Sequence, residues 1–380
     1  MIDEDELPDG WMETTLGDVC EIKYGKDHKK LEDGKVPCYG SGGIMRYVDS
    51  ILYDKPSVLI PRKGTLSNLF FIDEPFWTVD TLFYTQIDES QIKPHYLFYK
   101  LKTYDLADLN VGSAVPSLTT AVLNQFPFSI PKDIKEQKAI ANILTAFDDK
   151  IENLQAQNNT LEGTAQTIFK EWFGKYQVGD ELPDGWTYEK LETIADHIKN
   201  NIRPFNHPDK DYLHYSLPAY DNGLVPEIEK GVNIRSYKYE VVANSFLVSK
   251  LNPFTPRIWT IYNSVDNHIC STEFQVVKPK ADDFFSFIHC FLNSTRFTSV
   301  LSQKIKGTSS SHQRVNPQDI FDVNIIVPSE TDLEKFNSLA NPLIKKKDIN
   351  HRQMQTLKQT RDTLLPKLMS GQLRVNEFKS

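Results

Sequence analysis

Apolar residues recur in alternating steps of four and three at Ile140, Leu144, Phe147, Ile151, Leu154, Leu161, Ala165, Ile168 and Trp172, with Asn158 the one polar member of the series. This spacing keeps a single stripe on one side of an α-helix and predicts a helix over about residues 134–173, on the order of 60 Å long. A lone Asn on such a seam fixes register at some cost in stability. A second, weaker seam runs through Leu343, Lys347, Asn350, Met354, Leu357, Arg361, Leu364 and Leu368. It is too polar for a free-standing coil, so each helix is the natural partner of the other.

Outside the helices the pattern changes period. Aromatic and β-branched runs at 58–60, 69–72, 76–79 and 82–84, and again at 241–242, 246–248 and 258–261, are punctuated by Gly, Pro and Asn. They predict α+β domains built on twisted sheets.

The chain repeats itself. Glu6-Leu-Pro-Asp-Gly-Trp11 returns 175 residues later as Glu181-Leu-Pro-Asp-Gly-Trp186. Gly112-Ser113 answers to Gly307-Thr308, Ile130-Pro131 to Val327-Pro328, and Leu161-Glu-Gly-Thr164 to Leu357-Lys-Gln-Thr360. After each Pro comes a helix-start signature resembling a capping box, Asp133 with Glu136 and Thr331 with Glu334. The sequence is therefore a tandem duplication of one unit, a globular domain followed by a long helix. Packed with pseudo-twofold symmetry, the two helices would run antiparallel and hold the domains apart. The predicted segments are 1–131, a first globular domain; 132–176, a central helix; 177–328, a second globular domain; and 329–380, a second long helix with its tail. The globular parts differ sharply while the junctions agree, which predicts two different contacts on one frame.

The 380 residues are 39% hydrophobic and 25% charged, an ordinary globular composition that excludes disorder. No apolar run approaches the roughly 20 residues of a membrane span, and the acidic MIDEDE start is unlike a signal peptide, so the expected location is the cytoplasm. Cys20, Cys38, Cys270 and Cys290 lack zinc or disulfide spacing and read as buried thiols. A formal charge of −8 argues against nucleic acid globally, but 284–318 and 55–72 contain no Asp or Glu, and such basic strips suit a DNA-facing surface.

Enzyme signatures fail on inspection. Pro8-Asp9 with Glu21-Ile-Lys23 mimics a carboxylate-plus-lysine nuclease site, yet the repeated Pro183-Asp184 has no such follower. Asn252-Pro253-Phe254 lacks one Pro of an adenine-methyltransferase turn, and no Gly-rich loop follows a buried strand to hold a methyl donor. Gly40-Ser-Gly-Gly43 has no phosphate-loop ending and reads as a tight turn. The histidines show no helical metal spacing. No catalytic residue and no metal ligand is expected.

For DNA contact, the strongest loop runs from Lys304 through Lys306, Ser309, Ser310, His312 and Gln313 to Arg314, mixing phosphate ligands with side chains able to read base edges. Its first-copy equivalent, around 112–120, is uncharged, so phosphate contacts there fall to Lys26, His28, Lys29, Lys30, Arg46, Arg62 and Lys63. Arg203, Lys250, Asn252 and Arg257 lie in Asn/Pro-rich stretches of the second domain and are further candidates.

These features together resemble the specificity subunit of type I restriction-modification enzymes. The likeness rests on the doubled Leu-Pro-Asp-Gly-Trp starts, Pro37-Cys-Tyr-Gly-Ser-Gly-Gly-Ile44, Leu59-Ile-Pro-Arg-Lys-Gly-Thr65, Glu136-Gln-Lys-Ala-Ile-Ala-Asn-Ile-Leu144, the 161–173 stretch and Leu364-Leu-Pro-Lys-Leu-Met-Ser-Gly371, in this order over nearly the whole chain. The resemblance implies a non-catalytic DNA reader. Each target-recognition domain would read one half of a split, asymmetric sequence, and the paired helices would set the gap. It also implies two methyltransferase subunits on the helical frame and two motor-nuclease subunits in the full complex. S-adenosylmethionine, ATP and Mg2+ would belong to those partners, with no cofactor on this chain. Phe169, Trp172 and Phe173 end the first long helix in an aromatic cluster that either packs against the next domain or forms a shared edge with a methyltransferase. Two departures stand out. The second domain shows no close counterpart to Tyr39-Gly-Ser-Gly-Gly43 or Pro61-Arg-Lys-Gly64, and Pro342, set against Ile143 of the first copy, is expected to interrupt the distal helix. A self-sufficient DNA-modifying enzyme and a coiled-coil scaffold are the rival readings. The scaffold leaves the basic, Ser/Gln/Asn-rich loops unexplained.

Overall fold

A computed structural model describes residues 7–110, 116–177, 179–305 and 313–375. The chain divides into two compact units: Met1–Gln155 with Arg352–Ser380, and Ala156–His351. Each contains one globular α+β domain and a stretch of both long helices.

In the first unit, strand Trp11–Thr15 pairs antiparallel with Pro127–Pro131, which leads directly into the proximal long helix, Ile134–Phe173. The main sheet is antiparallel, in the order Cys20–Tyr24, Leu82–Ile87, Ser57–Pro61, Phe70–Ile72. Every residue of Ser57–Pro61 is buried, which is why 58–61 is a continuous apolar run rather than an alternating one, with the Ser57 hydroxyl donating to the Thr85 carbonyl at 2.8 Å. Helix Pro94–Lys102 contributes Tyr96, Leu97, Tyr99 and Leu101 to the same core, joined there by Ile140, Ala141 and Leu144 of the proximal helix and Leu368 and Met369 of the distal one, Glu330–Met369. A second, three-stranded sheet has the order Gly43–Val48, Asp33–Gly40, Trp77–Thr78.

The second unit repeats this scheme. Thr187–Lys190 pairs antiparallel with Asn324–Val327. The main sheet runs Ala195–Ile198, Phe274–Pro279, Ser245–Ser249, Ile258–Ile261, the same topology as in the first unit. Helix Phe285–Leu292 takes the place of Pro94–Lys102. The other sheet does not match its counterpart. It has five strands, ordered Asn201–Ile202, Lys238–Glu240, His268–Ser271, Asp211–Tyr215, Glu227–Lys230. The duplication thus preserved the ribbon, main sheet and long helix of each copy, and diverged in the smaller sheet. In the core of this unit Phe169 and Phe173 meet Phe287 and Phe336 at ring separations of 5.0–6.2 Å. Burial of each such ring stabilises by about 1.5–3 kcal/mol.

Both long helices have 40 residues, and both ends are offset by 196, the offset of the Leu161/Leu357 match. Along the seams Ile140, Leu144, Leu154, Asn158, Ala165, Asn350, Met354 and Leu368 are buried, and Phe147, Ile151, Leu161, Ile168, Leu343, Lys347, Leu357, Arg361 and Leu364 half-buried. In the second unit the Asn158 amide donates to the Lys347 carbonyl at 3.2 Å. The expected break at Pro342 is absent. The 196-residue offset sets Pro342 against Ala146 rather than Ile143, and the helix runs through Pro342 and Pro366 alike. The missing N–H forfeits one helical bond at each, and packing of Phe336, Ala340 and Ile344 in the second-unit core outweighs the loss at Pro342. The start of that helix also differs from its predicted signature. The cap is Ser329, whose hydroxyl accepts from Asp332 N–H (3.3 Å) and donates to the Asp332 carboxylate (3.0 Å), and not Thr331 with Glu334. Asp133 does cap the proximal helix, accepting from Lys135 N–H at 2.8 Å, but Glu136 turns away to an ion pair with Arg374 (3.0 Å).

One buried cation closes the first unit. The Lys100 ammonium donates to the Met369 carbonyl (2.7 Å) at the end of the distal helix and lies 5.7 Å from the Trp11 ring. Burial pulls its pKa down to about 8 from 10.5. A base with a depressed folded-state pKa contributes stability that is present above the unfolded value and lost as pH falls through the folded one. Wild type should therefore gain on Lys100→Met between pH 8 and 10.5, by on the order of 3 kcal/mol, in denaturant titrations. A stability difference that stays flat across that window would remove the assignment.

Candidate nucleic-acid interface

The loop that follows the central strand of each main sheet is held by the same three main-chain hydrogen bonds. In the first unit Arg62 N–H donates to Thr81 C=O (2.8 Å), Leu118 N–H to Arg62 C=O (2.9 Å) and Gly64 N–H to Pro116 C=O (3.2 Å). In the second, Lys250 N–H donates to Glu273 C=O (2.9 Å), Val315 N–H to Lys250 C=O (3.1 Å) and Asn252 N–H to Gln313 C=O (2.8 Å). Isolated bridges Lys63–Ser117 and Leu251–Arg314 complete the match. Gly64 has φ +89° and Asn252 φ +51°, the left-handed region that Gly and Asn tolerate best. Ser249-Lys-Leu-Asn252 is thus the counterpart of Pro61-Arg-Lys-Gly64 that the sequence did not reveal. Equivalence lies in backbone bonding and in a basic residue three places past the strand's core, not in shared side chains.

Each clamp joins two chain segments far apart in sequence and carries a basic residue, Arg62 in the first and Lys250 in the second. In the first unit His28 and Lys29 line a cleft with Gly40, Ser41, Gly42, Asp80 and Thr81. Arg62 reaches the same place: its guanidinium donates to Asp80 C=O (3.3 Å) and stacks 5.2 Å from the exposed Tyr24 ring. Lys26 is tied alongside by Trp77, whose indole N–H donates to Lys26 C=O (3.1 Å). The structure therefore brings Lys26, His28, Lys29 and Arg62 together about one cleft, while Lys63 is bridged to Ser117. Lys30 is exposed in the adjoining turn, and Arg46 stands apart, half-buried in an ion pair with Asp33 at 2.5 Å.

In the second unit the clamp gathers Lys250, Asn252, Gln313 and Arg314. Arg314 forms a two-pronged pair with Glu273 (3.2 Å each) and Arg257 one with Asp221 (2.8 and 3.0 Å). The Asp221 carboxylate holds the Arg257 pKa above its ordinary value. Each of these arginines would have to exchange a carboxylate for a phosphate to bind DNA. Lys304 sits 3.9 Å from Asp319. Arg203 lies over the Tyr237 ring (4.4 Å), just past the edge strand Asn201–Ile202 of the five-stranded sheet. Lys306, Ser309, Ser310 and His312 fall outside the described residues. Phe254, singled out in the sequence only as part of the Asn252-Pro253-Phe254 run, is 63% exposed at the tip of the clamped loop. Asn252-Pro253-Phe254 is a turn closed by Thr255 N–H to Asn252 C=O (2.9 Å), and its resemblance to a methyltransferase motif is confined to residue types.

Cationic side chains on a main-chain frame, with aromatic and amide groups among them, suit a polyanion read partly through its bases. Comparison with known proteins decides which one. Residues 8–163 match the type I restriction modification DNA specificity domain. The chain is 27% identical over 364 residues to the type I restriction enzyme MjaIX specificity subunit of Methanocaldococcus jannaschii, covering 86% of this chain and 80% of that one. The chain is similar to type I restriction-modification specificity subunits. The MjaVIII specificity subunit of the same organism is 22% identical over 215 residues, half of each chain. The crystal structure of the type I restriction-modification S subunit from M. genitalium superposes with a TM-score of 0.66 at 16% identity, over 97% of this chain and 98% of that one, and shows the same fold.

The matched domain is described as a DNA specificity domain, and the relatives are specificity subunits of type I restriction enzymes. Among the described residues no group of three or more His, Cys, Asp or Glu is placed to hold a metal ion, and no helix is long and apolar enough to cross a membrane. The cysteines are buried, and burial pushes the Cys20 thiol up to about 12, which makes it a packing group rather than a nucleophile.

Proposed function

We propose that each unit of this specificity subunit reads one half of a bipartite, asymmetric DNA site, and that the two long helices set the gap between the halves. The observation that carries this reading is the repeated clamp. One backbone frame occurs twice, with Arg62, Lys63 and Gly64 on the first copy and Lys250, Leu251 and Asn252 on the second. Two frames with different side chains fit two different sequences, and a three-stranded sheet in one unit against a five-stranded sheet in the other extends the difference. Target-recognition domains would span 1–131 and 177–328, with spacers 132–176 and 329–380. The clustered cations contact phosphate, while Asn252, Gln313 and the Ser/Thr-rich loops read base edges.

Recognition on this chain would direct methylation or cleavage by two methyltransferase and two motor-nuclease subunits, working in the cytoplasm. Of the aromatic trio at the end of the proximal helix, Phe169 and Phe173 are buried in the second-unit core and Trp172 keeps exposed surface, so Trp172 carries the proposed methyltransferase contact. The test is co-expression with the neighbouring methyltransferase, followed by methylation-site sequencing of host DNA with and without this chain. A split, asymmetric motif that disappears with the chain is the expected result. Methylation that persists unchanged would return the protein to a scaffold role.

A further inference from the structure

The polar residues of the distal seam are not random defects. In the first unit Arg361 of the distal helix pairs with Asp148 of the proximal helix, and Tyr99 of the domain helix Pro94–Lys102 donates to the same carboxylate at 2.7 Å. In the second unit Lys347 of the distal helix pairs with Glu162 of the proximal helix at 2.5 Å, and His289 of the domain helix Phe285–Leu292 lies 3.2 Å from the same carboxylate, its other ring nitrogen 3.1 Å from the Thr260 hydroxyl. Burial alone would raise the Glu162 carboxyl, but His289 and Lys347 together hold it well below the usual carboxylate range. Each tie therefore joins three elements: an acid from the proximal helix, a cation from the distal helix and a hydrogen-bonding ring from the domain.

The two ties are spaced alike. From Asp148 to Glu162 is 14 residues, and from Lys347 to Arg361 is 14 residues, run in opposite directions. They thus mark two points of one antiparallel register, two heptads apart. Nor are they inherited from the repeat. At the 196-residue offset the counterparts of Asp148, Glu162, Lys347 and Arg361 are Ile344, Lys358, Ile151 and Ala165. Each half acquired its tie at its own position, and in both the acid fell on the proximal helix and the cation on the distal one. Two proximal helices facing each other in this register would set Asp148 against Ala165 and Glu162 against Ile151, leaving half-buried carboxylates without a cation.

We propose that Asp148–Arg361 and Glu162–Lys347 are a register lock: they hold the proximal helix to the distal helix at one offset, and so determine which DNA gap the specificity subunit accepts. This rests on the bipartite reading above. Half-buried ion pairs are weak sources of stability but strong sources of register, because apolar seams tolerate slippage that a charged pair does not.

The experiment replaces both ties with leucine, Asp148→Leu, Arg361→Leu, Glu162→Leu and Lys347→Leu, in the full chain co-expressed with its methyltransferase. Thermal melting and methylation-site sequencing are then read side by side. The variant is expected to melt near wild type, while methylation at sites whose gap differs by one base pair rises about ten-fold. Methylation confined to the wild-type gap at the wild-type level would overturn the lock. If the four-leucine chain does not fold, charge reversals decide. Arg361→Asp and Lys347→Glu should each loosen or abolish the gap preference, and adding Asp148→Arg or Glu162→Lys respectively should restore it. Failure of the second change to restore it would overturn the lock equally. A wild-type chain yielding no split motif would instead remove the bipartite reading itself.

Discussion

Exchanging residues 181–328 for the corresponding segment of a type I specificity subunit is expected to change one half of the methylated motif and leave the other half and the gap untouched. The segment runs from the second Glu-Leu-Pro-Asp-Gly-Trp start to the last residue before the Ser329 cap. It carries the five-stranded sheet, the whole second clamp and Arg203, and no described residue of the first clamp. Its attachment to the helices is an apolar core in which Phe287, Phe291 and Ile325 meet Phe169, Phe173 and Phe336, and volume-conserving replacements are tolerated there. Sequencing of methylated sites reads the result directly. Movement of both halves would show that the two domains do not read independently.

The second large effect concerns the helices. Asp148 faces Arg361 and Glu162 faces Lys347, so a deletion in one helix must be matched in the other: removing 149–155 together with 354–360 takes one heptad from each and preserves both ties. At 1.5 Å per residue the frame shortens by about 10 Å, roughly three base pairs at 3.4 Å. Methylation of the wild-type site should fall by at least about 100-fold, because the second reader no longer meets its half-site, and any motif that replaces it should have a shorter gap. Full methylation at the original gap would mean that the helices do not measure it.

The parts of this molecule that were legible in its sequence are those governed by period. A 3.5-residue stripe needs no tertiary information, and Ile140 to Trp172 announced a helix whose ends the structure places at Ile134 and Phe173. The Leu-Pro-Asp-Gly-Trp repeat announced the doubled architecture in the same way. What escaped depended on partners distant along the chain. Arg46, Arg257 and Arg314 looked like unattached cations because Asp33, Asp221 and Glu273 lie 13, 36 and 41 residues away. Ser329 displaced Thr331 as the helix cap because Leu333 and Phe336 had to face the core, which fixed where the first turn begins. The second clamp was hidden for a deeper reason. Its likeness to the first resides in φ angles and main-chain bonds, and neither Gly64 and Asn252 nor Arg62 and Lys250 look alike as letters.

The clamp's use of main chain alone has a further consequence. All three of its bonds are made by main-chain groups, so the exposed side chains of the loop, unlike the buried Leu66, Leu118 and Val315, are not what holds it. Substitutions at Lys63, Leu251 or Thr255 can therefore rewrite what the loop contacts without loosening how it is held. On the proposed reading, in which the clamp loops face DNA, such a surface suits the task of distinguishing one site from countless near neighbours. New preferences can accumulate by single amino-acid changes, each tried on an unaltered scaffold, and the lineage can drift between targets without passing through misfolded ancestors.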